Sequence, residues 1–120
     1  MAYNNFKYDV DADGIALVTW DMPGKSMNVF TEEVMVELNA ITDKVMADEA
    51  VKGAVFTPGK QPFSGGADLT MLKGIFELHR KEKAKDPEKA VKILCEMTGK
   101  MTGLFSKIET SGKHWVSAIN

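Results

Sequence analysis

A glycine-rich segment between two apolar runs is the part of the sequence best suited to chemistry. It spans residues 63–72 and reads Phe-Ser-Gly-Gly-Ala-Asp-Leu-Thr-Met-Leu. Its paired glycines, Gly65 and Gly66, can take backbone conformations closed to other residues and let a ligand approach the main chain closely. If a helix begins near Ala67, its first amides have no intrahelical partner and lie at the positive end of the helix dipole. Such amides can bind an anion, or a carbonyl oxygen that becomes negative during a reaction.

A strand and a helix must hold this segment in place. The apolar run at residues 53–57, ended by Pro58-Gly59, predicts a buried strand ahead of it. A helix from Asp68 to about His79 is predicted by four apolar residues at helical spacing, Leu69, Leu72, Ile75 and Phe76. The segment has neither the Gly-x-Gly-x-x-Gly pattern of dinucleotide sites nor the Gly-Lys-Ser/Thr pattern of NTP sites. On local sequence alone, a tight strand-to-helix turn without a ligand is an equally good interpretation.

Hydrophobic periodicity predicts the elements of the N-terminal half. Residues 6–10 and 15–20 read as two strands joined by a hairpin turn at residues 11–14. Thr31 is a suitable N-cap for a helix, with Glu32 and Glu33 in its first turn. The apolar face of that helix comprises Val34, Leu38, Ile41 and Val45. We therefore expect this helix to pack on a sheet.

The C-terminal half predicts one long helix and one strand. After a charged stretch at residues 80–85, which reads as a solvated face or a loop, Asp86 and Pro87 begin a helix that Gly112 ends. Its apolar stripe contains Cys95, which we expect to be buried as a small apolar residue. Gly99 and Gly103 are spaced to let another backbone pack closely. Residues 115–119 form the last predicted strand.

The composition argues against several classes of protein. With 120 residues and 44% hydrophobic content, the chain suits one domain with a core. Its formal charge of −2 gives no general attraction to nucleic acid or to an anionic membrane. The sequence has no run of about eighteen apolar residues that predicts a spanning helix, and its N-terminus lacks the pattern of a secretory signal. A single cysteine cannot form an internal disulfide, and we therefore expect a reducing, cytoplasmic location.

The glycine-rich segment also carries a resemblance to a known family. Residues 63–69 resemble the Phe-x-x-Gly-Ala-Asp-Leu signature of the crotonase (enoyl-CoA hydratase/isomerase) superfamily. Three other pieces follow the order of that family: an early strand at 14–20, a Pro-x-x-x-x-Asn turn at 23–28, and residues 113–120, similar to Lys-Pro-x-Val-Ala-Ala-Ile-Asn. The resemblance implies an α/β fold, a crotonase-like spiral of ββα units. Residues 1–120 are then the N-terminal portion of such a domain, truncated after the strand near 115–119.

The resemblance assigns roles to individual residues. It implies that the Ala67 amide is the first oxyanion donor to the thioester carbonyl of an acyl-CoA. It implies a CoA-binding set that comprises Lys25, Ser26, Met27, Ser64, Gly65, Gly66, Asp68 and Leu69. We assign Asp68 to helix capping and not to proton transfer. The expected substrate is the coenzyme A thioester, with no further cofactor, and no metal site is expected because His79 has no ligand partner at a recognised spacing.

In the family, the second oxyanion glycine and the catalytic glutamates follow the Ala-Ile-Asn strand, so they are expected beyond Asn120. We therefore expect the acyl-CoA-binding N-terminal portion of an enoyl-CoA hydratase/isomerase of fatty-acid β-oxidation, inactive by itself and homo-oligomeric. The charged insertion and the Ser-Met-Asn-Val-Phe run resemble the hydratase half of bifunctional enzymes that also carry a 3-hydroxyacyl-CoA dehydrogenase. One alternative stays open. The chain can instead be a catalytically inactive structural unit that associates with copies of itself through an open strand edge at residues 115–120.

Overall fold

The computed structural model describes residues 2–120 and contains every predicted element. Three elements have bounds that differ from expectation. The strand predicted at 53–57 includes Pro58, the helix predicted from Asp68 to about His79 spans Leu69–Lys83, and the last strand spans His114–Ser117 instead of 115–119. The helix after Asp86 ends at Glu109, and Gly112, with φ of 78°, follows in the turn. The elements in chain order are β1 (Phe6–Val10), β2 (Ile15–Trp20), α1 (Glu32–Ala47), β3 (Gly53–Pro58), α2 (Leu69–Lys83), α3 (Pro87–Glu109) and β4 (His114–Ser117).

The four strands form one sheet in the order β1-β2-β3-β4. Strands β1 and β2 are the antiparallel arms of the predicted hairpin, whereas β2, β3 and β4 are parallel neighbours. The carboxyl ends of three parallel strands therefore meet at one edge of the sheet. The glycine-rich segment follows β3 at this edge, so the fold places it beside the loop that follows β2.

Helix α1 covers one face of the sheet, as its periodicity predicts. Its four predicted apolar residues are at most 1% exposed, and they join a core that includes Ala16, Val18 and Ala54 from β2 and β3. Trp20 lies at the centre of an aromatic cluster, with ring centroids 4.6 Å from Phe30 and 5.8 Å from Phe56. Burial of each large apolar side chain stabilises the fold by about 1.5–3 kcal/mol. The aromatic cluster thus connects the core to the residues that flank the glycine-rich segment.

Two predictions for helix α3 are wrong. Cys95 is exposed rather than buried. No atom lies within 4 Å of the position that a Cβ would occupy at Gly99 or Gly103, so no backbone packs against them. Only Ala90 and Leu104 are buried in α3, among the residues that the structure describes. Periodicity identifies an apolar stripe, but it does not show how much of the stripe a neighbouring element covers.

Candidate functional site

The site is built where the loop after β2 meets the loop after β3, and Asn28 joins the two. The side chain of Asn28 is fully buried. Its Nδ2 donates to the carbonyl of Trp20 at 2.8 Å and to the carbonyl of Phe63 at 3.4 Å, and its Oδ1 accepts from the amide of Met22 at 3.1 Å. The side chain of Asn28 therefore links the end of β2 to the start of the glycine-rich segment by hydrogen bonds.

The glycine-rich segment runs parallel to residues 28–30 as a short strand-like pair. The Gly65 amide donates to the carbonyl of Asn28 at 2.8 Å, and the Phe30 amide donates to the carbonyl of Gly66 at 2.8 Å. The Asp68 amide then donates to the carbonyl of Phe30 at 2.9 Å, so Phe30 and Ala67 form a parallel bridge. These bonds fix the main chain on both sides of Ala67.

The Ala67 amide has no hydrogen-bond acceptor within residues 2–120, although the amides before and after it are both bonded. A peptide group is planar and trans, so its carbonyl and its N–H point in opposite directions. Because the Gly66 carbonyl accepts from Phe30, the Ala67 N–H of the same peptide group points away from the 28–30 segment. This amide is therefore fixed in direction and makes no hydrogen bond within residues 2–120.

Helix α2 begins later than the sequence suggested. Its N-cap is Asp68, whose carboxylate accepts from the Met71 amide at 2.8 Å, so the predicted capping role of Asp68 is confirmed. Ala67 therefore precedes the helix and is not one of its first-turn amides. The Ala67 amide lacks an acceptor because the pairing with Phe30 turns it away from residues 28–30, and not because it lies at the unbonded end of a helix.

Gly65 and Gly66 must be glycine for different physical reasons. Gly66 has a φ of 85°, a conformation that residues with a Cβ disfavour, although the position of an added Cβ has no neighbour within 4 Å. Gly65 has no such strain, but a Cβ there would lie 2.3 Å from the sulfur of Met27. Met27 therefore packs directly on the segment.

The structure brings together most of the residues predicted for CoA. Ser64 lies inside the pairing, since its hydroxyl donates to the carbonyl of Asn28 at 3.2 Å and accepts from the Gly66 amide at 3.0 Å. Leu69 is 80% exposed at the start of α2. Lys25 and Ser26 are exposed in the loop after β2, and Lys25 lines a shallow depression with Asn5 and Glu33. Met27, Ser64, Gly65, Gly66, Ala67 and Asp68 thus form one continuous surface with Leu69 at its end.

A second tie between the loops involves Asp21 and Lys60, which the sequence analysis did not single out. Lys60 Nζ donates to the Asp21 carboxylate at 2.8 Å, and this hydrogen bond holds the pKa of Asp21 below its ordinary value. A Cβ at Gly59 would lie 2.7 Å from the Cβ of Asp21, so the main chain at Gly59 packs closely on the Asp21 side chain. The side-chain amide of Asn120 donates to the carbonyls of Lys60 and Gln61. The ends of β2, β3 and β4 are therefore joined at one place.

Asn28 and the Asp21–Lys60 pair had only weak sequence signals. Asn28 stands in the quoted turn, but nothing in the spacing shows that it is buried. The two members of the ion pair are far apart in sequence, so only the parallel pairing of β2 and β3 brings them together.

An apolar pocket of about 280 Å³ lies next to this site. Its wall includes Phe63, the first residue of the segment, and Phe30, which pairs with Ala67. Phe56, Phe105 and Trp115 complete the aromatic lining. In the part of the chain that the structure describes, no group of three side chains could hold a metal ion. No described helix is long and apolar enough to cross a membrane.

Comparison with known proteins identifies the fold. An enoyl-CoA hydratase from Shewanella pealeana superposes with a TM-score of 0.77 over 98% of this chain and 40% of that chain, at 16% identity. A putative enoyl-CoA hydratase/isomerase (crotonase) from Legionella pneumophila superposes with a TM-score of 0.75 over 99% of this chain and 41% of that chain, at 20% identity. The class is therefore an α/β protein with the crotonase fold, and the predicted fold class is confirmed.

Sequence comparison adds curated relatives. The fatty acid oxidation complex subunit alpha of Idiomarina loihiensis is 34% identical over 116 residues, which is 96% of this chain and 14% of that protein. The corresponding subunit of Pseudomonas paraeruginosa is 37% identical over 107 residues, 89% of this chain and 13% of that protein. No protein-family model matches the chain. The chain therefore has the crotonase fold and is similar in sequence to a part of the fatty acid oxidation complex alpha subunits, about 14% of the length of the first of them.

Proposed function

We propose that the chain binds the thioester of an acyl-CoA and polarises its carbonyl through the Ala67 amide, as part of an enoyl-CoA hydratase/isomerase of fatty-acid oxidation. The observation that carries the proposal is the Ala67 N–H, which has no acceptor within residues 2–120 and is held in one direction by the Phe30–Gly66 hydrogen bond. The crotonase fold and the names of the curated relatives support it. The chain spans only 14% of the first of those relatives, so the activity of a longer protein is part of the proposal.

The chemistry follows from the charge that develops on the thioester oxygen. When a proton leaves the carbon next to the carbonyl, or water adds to a conjugated double bond, that oxygen becomes negative. A backbone N–H already aimed at this oxygen stabilises the charge without reorganisation, and one such donor is worth about 3 kcal/mol. The proton transfers themselves need carboxylates. Asp68, which is next to Ala67, is engaged as a helix cap. We therefore assign polarisation to the Ala67 amide and do not assign proton transfer to Asp68.

The remaining surface is proposed to bind CoA. The main chain at Ser64, Gly65 and Gly66 is held next to Met27, and we propose that it contacts the adenine and pantetheine. Lys25 and Ser26 from the loop after β2, with Asp68 and Leu69 at the start of α2, complete the proposed set. The cytoplasmic location, the homo-oligomer, the absence of a further cofactor and an accompanying dehydrogenase part stay predictions.

Isothermal titration with acetoacetyl-CoA and with free CoA tests the proposal. We expect saturation at one ligand per chain and tighter binding of acetoacetyl-CoA, because only that ligand offers an oxygen to the Ala67 amide. Ala67→Pro removes the N–H and should reduce this preference by up to about tenfold, because one hydrogen bond to a carbonyl contributes about 0.5–1.5 kcal/mol. Ala12→Pro is the matched control, since Ala12 lies in the hairpin turn whose Gly14 amide donates to Asp11, where proline is favoured at the second position.

An unaltered preference in Ala67→Pro would contradict the oxyanion assignment. A loss of similar size in Ala12→Pro would show that any inserted proline disturbs the fold, and not that the amide binds the oxygen.

A second candidate function is self-association, and the sheet edge favours it. Strand β4 is an outer strand of the sheet, and Val116 and Ile119 near its end are 59% and 73% exposed. An exposed apolar edge strand can pair with another chain. Light scattering at increasing concentration distinguishes the two candidates. Saturable binding by a monomer supports the acyl-CoA function, whereas a concentration-dependent oligomer that gives no heat with acetoacetyl-CoA supports the structural one.

A further inference from the structure

We infer that Asn28 is the positioning residue of the Ala67 amide, an inference that rests on the oxyanion role proposed for that amide. Asn28 does not touch the expected substrate, since its side chain is fully buried. It acts on the segment that contains Ala67, through both its side chain and its main chain.

The side chain of Asn28 spans the two loops. A buried carboxamide loses its hydration and needs protein partners. Asn28 finds partners on both loops, because Nδ2 donates to the Trp20 carbonyl at the end of β2 and to the Phe63 carbonyl at the start of the segment, while Oδ1 accepts from Met22. The position of Phe63 is therefore set relative to the end of β2.

The main chain of Asn28 holds the next residues of the segment. Its carbonyl accepts from the Gly65 amide at 2.8 Å and from the Ser64 hydroxyl at 3.2 Å. The same hydroxyl accepts from the Gly66 amide at 3.0 Å. Residues 63–66 are therefore each bonded to Asn28, directly or through the hydroxyl of Ser64.

Ala67 depends on these bonds because its own amide makes none. The direction of its N–H is set by the peptide plane that it shares with the Gly66 carbonyl, which Phe30 bonds, and Phe30 directly follows Val29 and Asn28 in the chain. When residues 63–66 shift, this plane rotates, and a displacement of about 1 Å at a reacting group can reduce its effect about a hundredfold. A role that was only structural would lower stability without changing the direction of this amide.

Asn28→Ala separates these two roles, with Thr42→Ala as the control. Thr42 is also a fully buried polar residue, but its hydroxyl donates to the Leu38 carbonyl within α1, away from the site. Two measurements are made on the full chain. The first is the ¹H–¹⁵N spectrum without ligand, which reports the amides of residues 65–67. The second is the ratio of the affinities for acetoacetyl-CoA and free CoA.

We expect Asn28→Ala to shift or broaden the resonances of residues 65–67 and to lower the affinity ratio by up to about tenfold. Free CoA should also bind more weakly, because residues 64–66 are proposed to contact its adenine and pantetheine. Thr42→Ala should lower the thermal midpoint and change neither measurement. Wild-type resonances and a wild-type ratio in Asn28→Ala would overturn the inference.

Two further outcomes are also decisive. If Asn28→Ala does not fold, Ser64→Ala tests the same network, because it removes the hydroxyl between Asn28 and Gly66; unchanged Gly66 and Ala67 resonances would then overturn the inference. If the wild-type chain binds both ligands equally, the proposed function is refuted. In that case the ligand-free spectra still decide whether Asn28 sets the Ala67 amide.

Discussion

Substitution of Gly66 by alanine gives the sharpest test of how the segment is held. Gly66 has a φ of 85°, and the position of an added Cβ has no atom within 4 Å. The change therefore introduces backbone strain without a steric clash. Left-handed backbone costs an L-residue about 1–2 kcal/mol, so we expect Gly66→Ala to reduce the free energy of unfolding by that amount. We also expect it to weaken the preference for acetoacetyl-CoA, because relief of the strain rotates the Gly66–Ala67 peptide.

Gly99→Ala is the matched control and should have the opposite sign. Gly99 lies in the interior of α3, has no neighbour within 4 Å of a new Cβ, and does not have positive φ. Alanine in a helix interior is favoured over glycine by about 0.5–1 kcal/mol, so this variant should be more stable than the wild type. The two variants make the same chemical change and differ only in the backbone conformation of the site.

Urea denaturation followed by circular dichroism measures both effects, since the linear dependence on urea gives the free energy of unfolding. We expect the midpoints to move to opposite sides of the wild type. The reasoning is refuted if Gly66→Ala is as stable as the wild type, or if both variants move in the same direction.

Two other predictions concern Asp21 and Cys95. The hydrogen bond from Lys60 lowers the pKa of Asp21, so this pair stabilises the fold above the ordinary aspartate pKa of about 3.9, and the stabilisation is lost as pH falls through the lowered value. Asp21→Asn should therefore narrow the difference in urea midpoint between about pH 7 and about pH 2; an unchanged difference would contradict the role of the pair. Cys95 is exposed, so Cys95→Ala should change stability by less than about 0.5 kcal/mol, and a thiol reagent should label the native wild-type chain. Labelling only after unfolding would show that this thiol is covered.

The sequence predicted the elements well because each one has a local physical cause. The Asp11–Gly14 turn, the Thr31 cap and the Asp86-Pro87 start are all read from short-range chemistry, and all occur in the structure. The apolar face of α1 was also predicted correctly, since the sheet covers that helix along its length. The end of α2 was predicted too early, because its last turn consists of charged residues that favour a helix but also occur in solvated loops.

The contacts between elements were beyond local reasoning. Cys95 was misplaced because a periodic stripe does not show which part of α3 is covered. At the site, the glycine-rich segment predicted an amide without a hydrogen-bond partner at a helix N-terminus. The amide has no partner within residues 2–120, but Ala67 precedes the helix. The pairing with Phe30 and the buried position of Asn28 depend on the parallel alignment of β2 and β3, which no short sequence pattern specifies.

The attachment of β4 has a consequence for the order in which the fold opens. This strand pairs with β3 over only four residues, and helices α2 and α3 lie between the two strands in sequence. Closing such a long loop carries an entropic cost that so few backbone bonds offset only weakly. Amide protons of β4 should therefore exchange with deuterium well before those of β2, which is bonded on both sides. Opening of β4 alone would break the hydrogen bond between Asn120 and the main chain at Lys60. The hydrogen bond from Asn28 to the start of the glycine-rich segment would remain.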